Sequence, residues 1–504
     1  MDQFLPVAVR GGGVSVFELN PHNIDDNIAR PACILLIAAD EPPGMNNMDG
    51  MISRRQMLTT STCGIGMLAL ADLCQANGAK SASRLSSKSP HFPTRAKRLI
   101  FLHMRGGPAH MDTFEYKPEL NKQDGKPGRS KNRKLVGSRW NWKQRGESGL
   151  WVSDLVPHMA QHADDICVLS GLHTDSANQT PAMLQLHTGN FAFTRPSLGA
   201  WMMYGLGTEN ANLPGFVSMC PPIINGGAKN YSSAFLPAVY QGTAIGDIKT
   251  PIKNAQIGNL KNPRLSSTKQ RQQLDFIQSL NRNLSDRDPA DSQLEGVIES
   301  YELAFRMQTE LPRVLDLSKE TAATQAAYGI GNGKPSDNFG RQCLLARPMA
   351  ESGVRYIELC DEFWDQHRAL KKGHEGRAAA TDQPIGALLA DLKQRGLLEE
   401  TLVLWGGEFG RTPDTGQKDN DGRDHNAKGY SMFLAGGGVK GGFKFGATDE
   451  LGYEAVENRM HLHDLHATIL HLLGLDHERL TYRYAGRDFR LTDVHGKVAK
   501  EIVA

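Results

Sequence analysis

The 504-residue sequence predicts an α/β sandwich around a mostly parallel central sheet, with a helical insertion. Three observations lead to this prediction. Short apolar runs alternate with helix-like segments through most of the chain. The chain contains 52 glycines, which suit the tight turns between strands and helices. Residues 268–318 have helical periodicity throughout, so they interrupt the alternation as an insertion.

The predicted elements follow in order along the chain. The apolar runs predict strands at residues 98–104, 165–171, 354–360, 401–405 and 431–435. Periodicity and end signals predict helices at residues 180–188, 341–351, 382–395 and 465–473. Because ligands of such folds bind beyond the carboxyl ends of strands, the polar residues that follow the runs are the candidates for chemistry.

The bulk composition is that of an ordinary globular protein, with 39% hydrophobic and 22% charged residues. The formal net charge of +2 gives no electrostatic footprint for nucleic acid, so no nucleic-acid partner is expected. The seven cysteines are widely spread and form no CxxC pair, so a thiolate zinc site is not expected either.

A twin arginine, Arg54 and Arg55, precedes a mildly apolar stretch near the N-terminus. Residues 57–73 carry a single charge, Asp72, and contain Thr, Ser and Gly, which makes them too polar for a stable membrane span. The pattern is typical of a twin-arginine export signal over residues 51–80 and predicts a periplasmic or extracellular protein. A buried helix with a basic start is the alternative.

Fifty residues precede Met51, whereas an export signal normally begins close to the initiator. We therefore expect Met51 to be the true start and residues 1–50 to be a mis-assigned or disordered extension. Residues 81–96 continue a stretch rich in Ser, Lys, Ala and Pro and are predicted as a tether. Residues 97–504 are expected to form the folded domain.

Polar residues near four of the predicted strands have the side chains that bind divalent metal ions. They are Asp112, Asp365, His367, Glu408 and His425. Carboxylates and imidazoles at strand ends are how an α/β enzyme collects metal ligands from distant parts of the chain. The alternative is that these side chains form structural ion pairs.

Arg411, Thr180 and Ser176 are candidates for catalytic contact with an anionic substrate. Arg411 can clamp an oxyanion through two parallel hydrogen bonds, or it can pair with Glu408 to hold the turn. Thr180 and Ser176 lie near the start of a predicted helix, where an anion is favoured and a hydroxyl can act as a nucleophile beside a metal. Simple capping of that helix by Thr180 is the alternative.

Several motifs, which together extend from residue 97 to the C-terminus, carry a resemblance to a known family. They include Gly106-Gly107-Pro108 with Asp112-Thr113-Phe114, Trp364 to His367, Trp405 to Pro413, Asp424-His425-Asn426 and Gly486 to Asp493. In these motifs the chain resembles an exported bacterial sulfatase-like family of unknown function, within the alkaline-phosphatase and sulfatase superfamily.

The resemblance implies an alkaline-phosphatase-like three-layer sandwich that binds one or two divalent ions, which would be zinc, manganese or calcium. It also implies a metal-dependent hydrolase of sulfate or phosphate esters, whose partner would be an anionic ester such as a sulfated or phosphorylated polymer. Carried across, the five metal-binding candidates become the ligand set of that hydrolase.

The sequence departs from the superfamily pattern in three places. The middle pair, Asp365 and His367, is more closely spaced than is usual in the superfamily. Phe409 follows Glu408 where an adjacent second ligand is usual. No Cys or Ser stands in the Cys/Ser-x-Pro-x-Arg context that formylglycine requires, so a formylglycine sulfatase is not expected. The nucleophile would then be Thr180, Ser176 or a water activated by the metal. A degenerate, non-catalytic member that binds an anionic polymer or a metal is the alternative.

Overall fold

The computed structural model describes residues 83–255, 264–285, 292–416 and 421–504. The expected N-terminal extension at residues 1–50 and the twin-arginine-type signal at residues 51–80 lie outside the described residues. Among the helices in the described parts of the chain, none is long and apolar enough to cross a membrane.

The strands are short and spread over the whole domain. They are β1 Arg98–Met104, β2 Trp142–Arg145, β3 Leu150–Ser153, β4 Ile166–His173, β5 Phe216–Met219, β6 Thr243–Ile245, β7 Tyr356–Asp361, β8 Thr401–Gly406, β9 Gly410–Thr415, β10 Arg423–Asn426, β11 Tyr430–Ala435, β12 Phe443–Phe445, β13 Ala447–Thr448, β14 Ala455–Glu457, β15 Met460–His461, β16 Tyr482–Tyr484 and β17 Arg487–Phe489.

The α-helices lie between these strands. They are α1 His110–Thr113, α2 Pro118–Lys122, α3 Gln179–Thr188, α4 Leu198–Leu206, α5 Ser267–Ser285, α6 Ser292–Val314, α7 Ala322–Ala327, α8 Asp337–Glu351, α9 Leu370–Gln394 and α10 Leu462–Leu472. The pair α5 and α6 is the helical insertion that the periodicity of residues 268–318 predicts.

One nine-stranded sheet forms the centre of the domain, in the order β12-β4-β11-β8-β1-β7-β5-β6, with β15 also paired to β4. Neighbouring strands are parallel except where β11 pairs with β4 and β8. The prediction of an α/β fold with a mostly parallel central sheet is therefore confirmed.

Strand β1 lies in the middle of this sheet because its sequence is apolar on both faces. Leu99, Ile100 and Leu102 are completely buried, as is typical of a strand covered by helices on both sides. Its parallel neighbours are β7 and β8, so the three strands end at one edge of the sheet. The loops after Met104, Asp361 and Gly406 are thereby brought together.

The segment predicted as a tether packs against the domain from residue 83 onward. The side chain of Leu85 is buried, and the carbonyl oxygen of Leu85 accepts a hydrogen bond from the backbone N–H of Thr208 at 2.8 Å. The backbone N–H of His91 donates to Gly474 at 2.8 Å. These backbone partners fix residues that composition alone assigns to a flexible linker, so residues 83–96 belong to the domain.

The completely buried His466 in α10 makes the stability of the domain depend on pH. Its Nε2 lies 2.7 Å from the carbonyl oxygen of Leu186 in α3, and burial lowers the pKa of His466 to about 3. An unfolded histidine takes up a proton below a pH of about 6.5, whereas the folded protein does not until a pH of about 3. The stabilising effect of the neutral ring is therefore complete above pH 6.5 and is lost as the pH falls.

We expect His466→Gln to reduce the loss of unfolding free energy between pH 7 and pH 5 by about 2 kcal/mol relative to the unsubstituted protein. Glutamine keeps a hydrogen-bond donor but has no titrating group. Urea unfolding of both proteins at the two pH values measures the difference. An equal pH dependence in the two proteins would contradict this assignment.

Candidate metal centre

Two loops and a hairpin strand meet at the edge of the sheet where β1, β7 and β8 end. Asp365 and His367 lie on the loop after β7. His425 lies in β10, which forms an antiparallel hairpin with β9 and places His425 opposite Arg411. His425 is distant in sequence from Asp365 and His367, and it comes to lie beside them because of this arrangement.

The three side chains converge on one point. Asp365 Oδ1 lies 2.9 Å from His425 Nε2 and 3.0 Å from His367 Nε2. The two Nε2 atoms are 3.1 Å apart. The donor atoms thus lie within 4.8 Å of one another, a spacing that allows one ion to contact all three.

The hydrogen-bond partners of both histidines assign their ring protons. His425 Nδ1 lies 2.7 Å from the carbonyl oxygen of Ala177, which can only accept, so Nδ1 carries the proton. His367 Nδ1 lies 3.0 Å from the carboxylate of Asp424, which itself pairs with Arg133 at 2.7 Å. When Nδ1 carries the only ring proton, the Nε2 lone pair of each ring points toward Asp365. Partners of this kind orient histidines that bind metal.

Asp365 is held in its ionised form. Arg411 Nη2 donates to Asp365 Oδ1 at 2.5 Å, and Gln179 Nε2 donates to Oδ2 at 2.8 Å. Burial opposes ionisation, but the contact with His425 and the charge and hydrogen bond of Arg411 outweigh it and hold the pKa of Asp365 well below its usual range. The group therefore offers a negative oxygen and two nitrogen lone pairs to a cation.

The centre is open to solvent on the side of His367. The side chain of His367 is 44% exposed and that of Asp365 is 33% exposed, whereas the ring of His425 is 19% exposed. An ion or a small ester can therefore reach the ligands directly from water.

Arg411 does not face this opening, in contrast to the expectation that it clamps an oxyanion. It is completely buried, and its guanidinium donates to the carbonyl oxygens of Gly107 and Arg423 at 3.1 Å each and to that of Gly106. With the bond to Asp365, these contacts use all three of its nitrogen atoms. Arg411 is a positioning residue for Asp365.

The turn beneath Arg411 requires glycine. Gly106 and Gly107 have φ angles of 104° and 78°, in the left-handed region that favours glycine. A Cβ atom at Gly107 would lie 2.4 Å from the carbonyl oxygen of Phe409, and one at Gly106 would lie 2.7 Å from the backbone nitrogen of Asp365. The missing side chains let the β1 turn pack directly against both neighbouring loops.

Glu408 lies outside the group of three ligands, contrary to the sequence prediction. Its two carboxylate oxygens accept the backbone N–H of Gly106 at 3.0 and 3.1 Å, and Oε2 lies 3.8 Å from His103 Nε2. Burial opposes ionisation, but the neighbouring His103 ring and the bonds from Gly106 lower the pKa of Glu408. The next residue, Phe409, stacks on the ring of His425 with centroids 4.2 Å apart. Phe409 therefore packs against the ligand His425, whereas the superfamily pattern has a metal ligand at the position of Phe409.

Asp112 also lies outside the centre. It is completely buried, and its two oxygens accept from Arg423 Nε at 2.9 Å and Nη2 at 3.3 Å. Arg423 is equally buried, so the two charges neutralise each other in the core. The sequence indicates a carboxylate after the first strand but does not reveal its arginine partner.

The segment around the start of α3 borders the centre, but its hydroxyl groups do not touch the three ligands. Thr180 Oγ1 donates to Asn225 Oδ1 at 3.1 Å, and Ser176 Oγ accepts the backbone N–H of Asn178 at 3.1 Å. The contacts come instead from the carbonyl oxygen of Ala177 and the amide of Gln179. No sequence signal points to Gln179, because a lone amide at the start of a helix is common.

A family model for proteins of unknown function, DUF1501, matches residues 96–503. The chain belongs to the DUF1501 family. The expectation of a family of unknown function is thereby confirmed. No curated protein matches this DUF1501 chain.

The DUF1501 chain is similar to several solved structures at low identity. One is the lipoteichoic acid synthase LtaP from Listeria monocytogenes, with 9% identity, 81% of this chain and 78% of that chain covered, and a TM-score of 0.35. A sulfatase from Pseudoalteromonas sp. has 14% identity, coverage of 76% and 68%, and a TM-score of 0.33. A phosphonate monoester hydrolase from Silicibacter pomeroyi has 12% identity, coverage of 63% and 68%, and a TM-score of 0.29. Overlays at this level say nothing about the activity of the DUF1501 chain.

The buried pair of Asp112 and Arg423 gives a direct test of the role of Asp112 in this DUF1501 protein. We expect Asp112→Asn to lower the unfolding free energy by about 3 to 5 kcal/mol, because it leaves the charge of Arg423 buried without a partner. The metal content of the folded protein should not change. Urea unfolding and elemental analysis measure the two quantities. A stable variant that has lost its metal would show that Asp112 is a ligand after all.

Asp424 orients the ring of His367, so its substitution should affect metal binding, unlike the substitution of Asp112. We expect Asp424→Asn to weaken the affinity for zinc by about 10- to 100-fold, because the proton and tilt of the His367 ring are no longer fixed. Equilibrium dialysis measures the affinity. The exposed Asp488→Asn serves as the matched control and should leave the affinity unchanged. Equal affinities for the two variants would contradict the tautomer assignment.

Proposed function

We propose that the chain is a metal-dependent hydrolase of sulfate or phosphate esters. The observation that carries the proposal is the convergence of two imidazole lone pairs and one ionised carboxylate at a solvent-accessible strand edge. Without a cation between them, His367, His425 and Asp365 would present three electron-rich atoms to one another about 3 Å apart. Each is held in that orientation by a partner of its own.

The donor set fits a borderline metal ion. Asp365 supplies oxygen, and His367 and His425 supply nitrogen, which is a set that zinc and manganese accept readily. Calcium prefers oxygen ligands in larger number, so it fits less well. Three protein ligands with one open side are typical of a catalytic rather than a structural site.

A divalent ion held there would supply Lewis acidity toward an ester oxygen and toward water. Other residues of the chain hold the three ligands in position. Arg411 and Gln179 fix the two oxygens of Asp365, while Ala177 and Asp424 fix the rings of His425 and His367.

The start of α3 lies next to the centre and suits an anionic substrate. Ala177 and Gln179 contact the ligands, and α3 begins at Gln179. The first backbone N–H groups of a helix and its dipole favour a negative group in front of it. We propose that the sulfate or phosphate group of the ester lies between the ion and this helix end.

Water is the nucleophile that we propose for the reaction. In the described residues, no serine or threonine hydroxyl is hydrogen-bonded to Asp365, His367 or His425, and the side chains of Thr180 and Ser176 are engaged elsewhere. A formylglycine nucleophile is not part of the proposal, because the sequence lacks its precursor context.

The proposal includes export to the periplasm or beyond, as the twin arginine at residues 54 and 55 suggests. An exported hydrolase meets esters outside the cytoplasm, which fits a sulfated or phosphorylated polymer as substrate.

Turnover of aryl phosphates and aryl sulfates with added zinc or manganese tests the proposal. We expect the unsubstituted protein to hydrolyse at least one class and Asp365→Asn to abolish that activity, because the ion loses its only anionic ligand. Thr180→Ala should remain active if water attacks. The control Asp488→Asn should match the unsubstituted protein. Activity of Asp365→Asn at the full rate would overturn the assignment of the centre.

A non-catalytic role is the second candidate, and one observation favours it. The two charged residues between Gly406 and Pro413, Glu408 and Arg411, are both directed inward and bonded to the protein. Neither is available to stabilise charge on a reacting ester. Stoichiometric binding of zinc without turnover of any ester in the panel would favour this role.

A further inference from the structure

A buried polar cluster lies in the core, on strands of the central sheet, apart from Asp365, His367 and His425. It consists of His103 in β1, His187 in α3, and Glu358 and Cys360 in β7. All four residues are at most 2% exposed. Buried polar groups of this kind are costly unless each finds a partner, so the cluster needs an explanation.

The sheet register brings these side chains to one face. His103 is opposite Cys360, and Phe101, two residues earlier, is opposite Glu358. Because alternate residues of a strand share a face, His103, Glu358 and Cys360 point to the same side of the sheet. His187 lies over that side, since its ring is 4.9 Å from the ring of His103.

The potential donor atoms are close together. His103 Nδ1 lies 3.3 Å from Glu358 Oε1 and 3.9 Å from Cys360 Sγ. Donor atoms of these three residues lie within 4.8 Å of one another. His187 Nε2 lies 2.7 Å from the same Glu358 Oε1. Neighbouring ligands of a tetrahedral zinc ion are about 3.3 to 3.8 Å apart, a spacing that the donors of His103, Glu358 and Cys360 approach. His187 lies outside that group of three and has to shift from its contact with Glu358 to reach the same ion.

The hydrogen-bond partners of His187 require a positive charge beside Glu358. His187 Nδ1 lies 2.8 Å from the carbonyl oxygen of Met183, so this nitrogen carries a proton. In the neutral ring the Nε2 lone pair then faces the carboxylate of Glu358. Two acceptors 2.7 Å apart require a positive charge at or near that contact, which is either an added proton or a metal ion.

His103 provides the second, independent observation. Its Nε2 is completely buried and has no hydrogen-bond partner within the described structure. The nearest carboxylate oxygen, Glu408 Oε2, is 3.8 Å away. If Nδ1 binds an ion, Nε2 carries the proton and faces Glu408, which is the carboxylate–histidine–metal arrangement common in metal sites.

We propose that His103, His187, Glu358 and Cys360 bind a second transition-metal ion, zinc by preference, inside the core. Two nitrogens, one oxygen and one sulfur are donor types that zinc accepts, and four protein ligands close a tetrahedral site. Ser218 Oγ donates to Glu358 Oε2 at 2.8 Å, which leaves Oε1 for the ion. The thiol proton of Cys360 is released to solvent when the sulfur binds the ion. Because every ligand is buried, the ion is taken up as the chain folds.

This site differs from the Asp365 centre in having a sulfur ligand. A signal from a metal–sulfur bond therefore reports on this site alone. The protein is produced in medium with cobalt as the supplied metal. We expect two equivalents of cobalt and a near-ultraviolet sulfur-to-cobalt charge-transfer band in the unsubstituted protein. Cys360→Ser should lose the band and one equivalent. Cys343→Ser, which changes another completely buried free cysteine, should keep both.

Asp365→Asn separates this site from the proposed hydrolase. It should lose the other equivalent of cobalt and keep the sulfur band, so the two proposals fail independently. If Cys360→Ser does not fold, X-ray absorption of the unsubstituted zinc protein decides, with a sulfur neighbour at about 2.3 Å expected. Absence of a metal–sulfur signal in the unsubstituted protein, or its persistence in Cys360→Ser, would overturn the proposal.

Discussion

The hydrogen bonds of the buried Arg411 hold the parts of the centre together. One guanidinium joins the carbonyl oxygens of Gly106 and Gly107 after β1, Arg423 in β10, and the carboxylate of Asp365 after β7. The bond to Asp365 also keeps that carboxylate ionised although it is partly buried. Without Arg411, the turn after β1 and the two ligand-bearing segments would have no common anchor. Arg411 is a candidate catalytic arginine in the sequence. In the structure it holds Asp365 in position from the buried side of the centre.

Much of the fold was predictable because buried strands and helices have apolar residues in recognisable runs and periods. The run at residues 98–104 is apolar on both faces, and β1 has these bounds. Asp365, His367 and His425 could be selected because carboxylates and imidazoles near strand ends are uncommon without a function. The limits of α9 were less visible. It begins at Leu370 rather than near residue 382 and contains Pro384, because packing against the core tolerates a proline that local propensity excludes.

The partners of the charged residues were not predictable, since they depend on tertiary contacts. Asp112 looks like a ligand until Arg423 is seen beside it, and Glu408 looks like one until the N–H of Gly106 is seen to bind it. Gln179 has no distinguishing sequence context. The core group of His103, Glu358 and Cys360 was missed for a related reason. A search for paired cysteines overlooks a single cysteine whose neighbours come from another strand.

Anomalous diffraction at the zinc edge from crystals grown with zinc tests the central claim most directly, namely that Asp365, His367 and His425 hold one divalent ion. The account predicts an anomalous peak about 2 Å from Asp365 Oδ1 and from both Nε2 atoms. Crystals with zinc in the solution but no anomalous peak between the three side chains, and with the two rings sharing a proton instead, would contradict it.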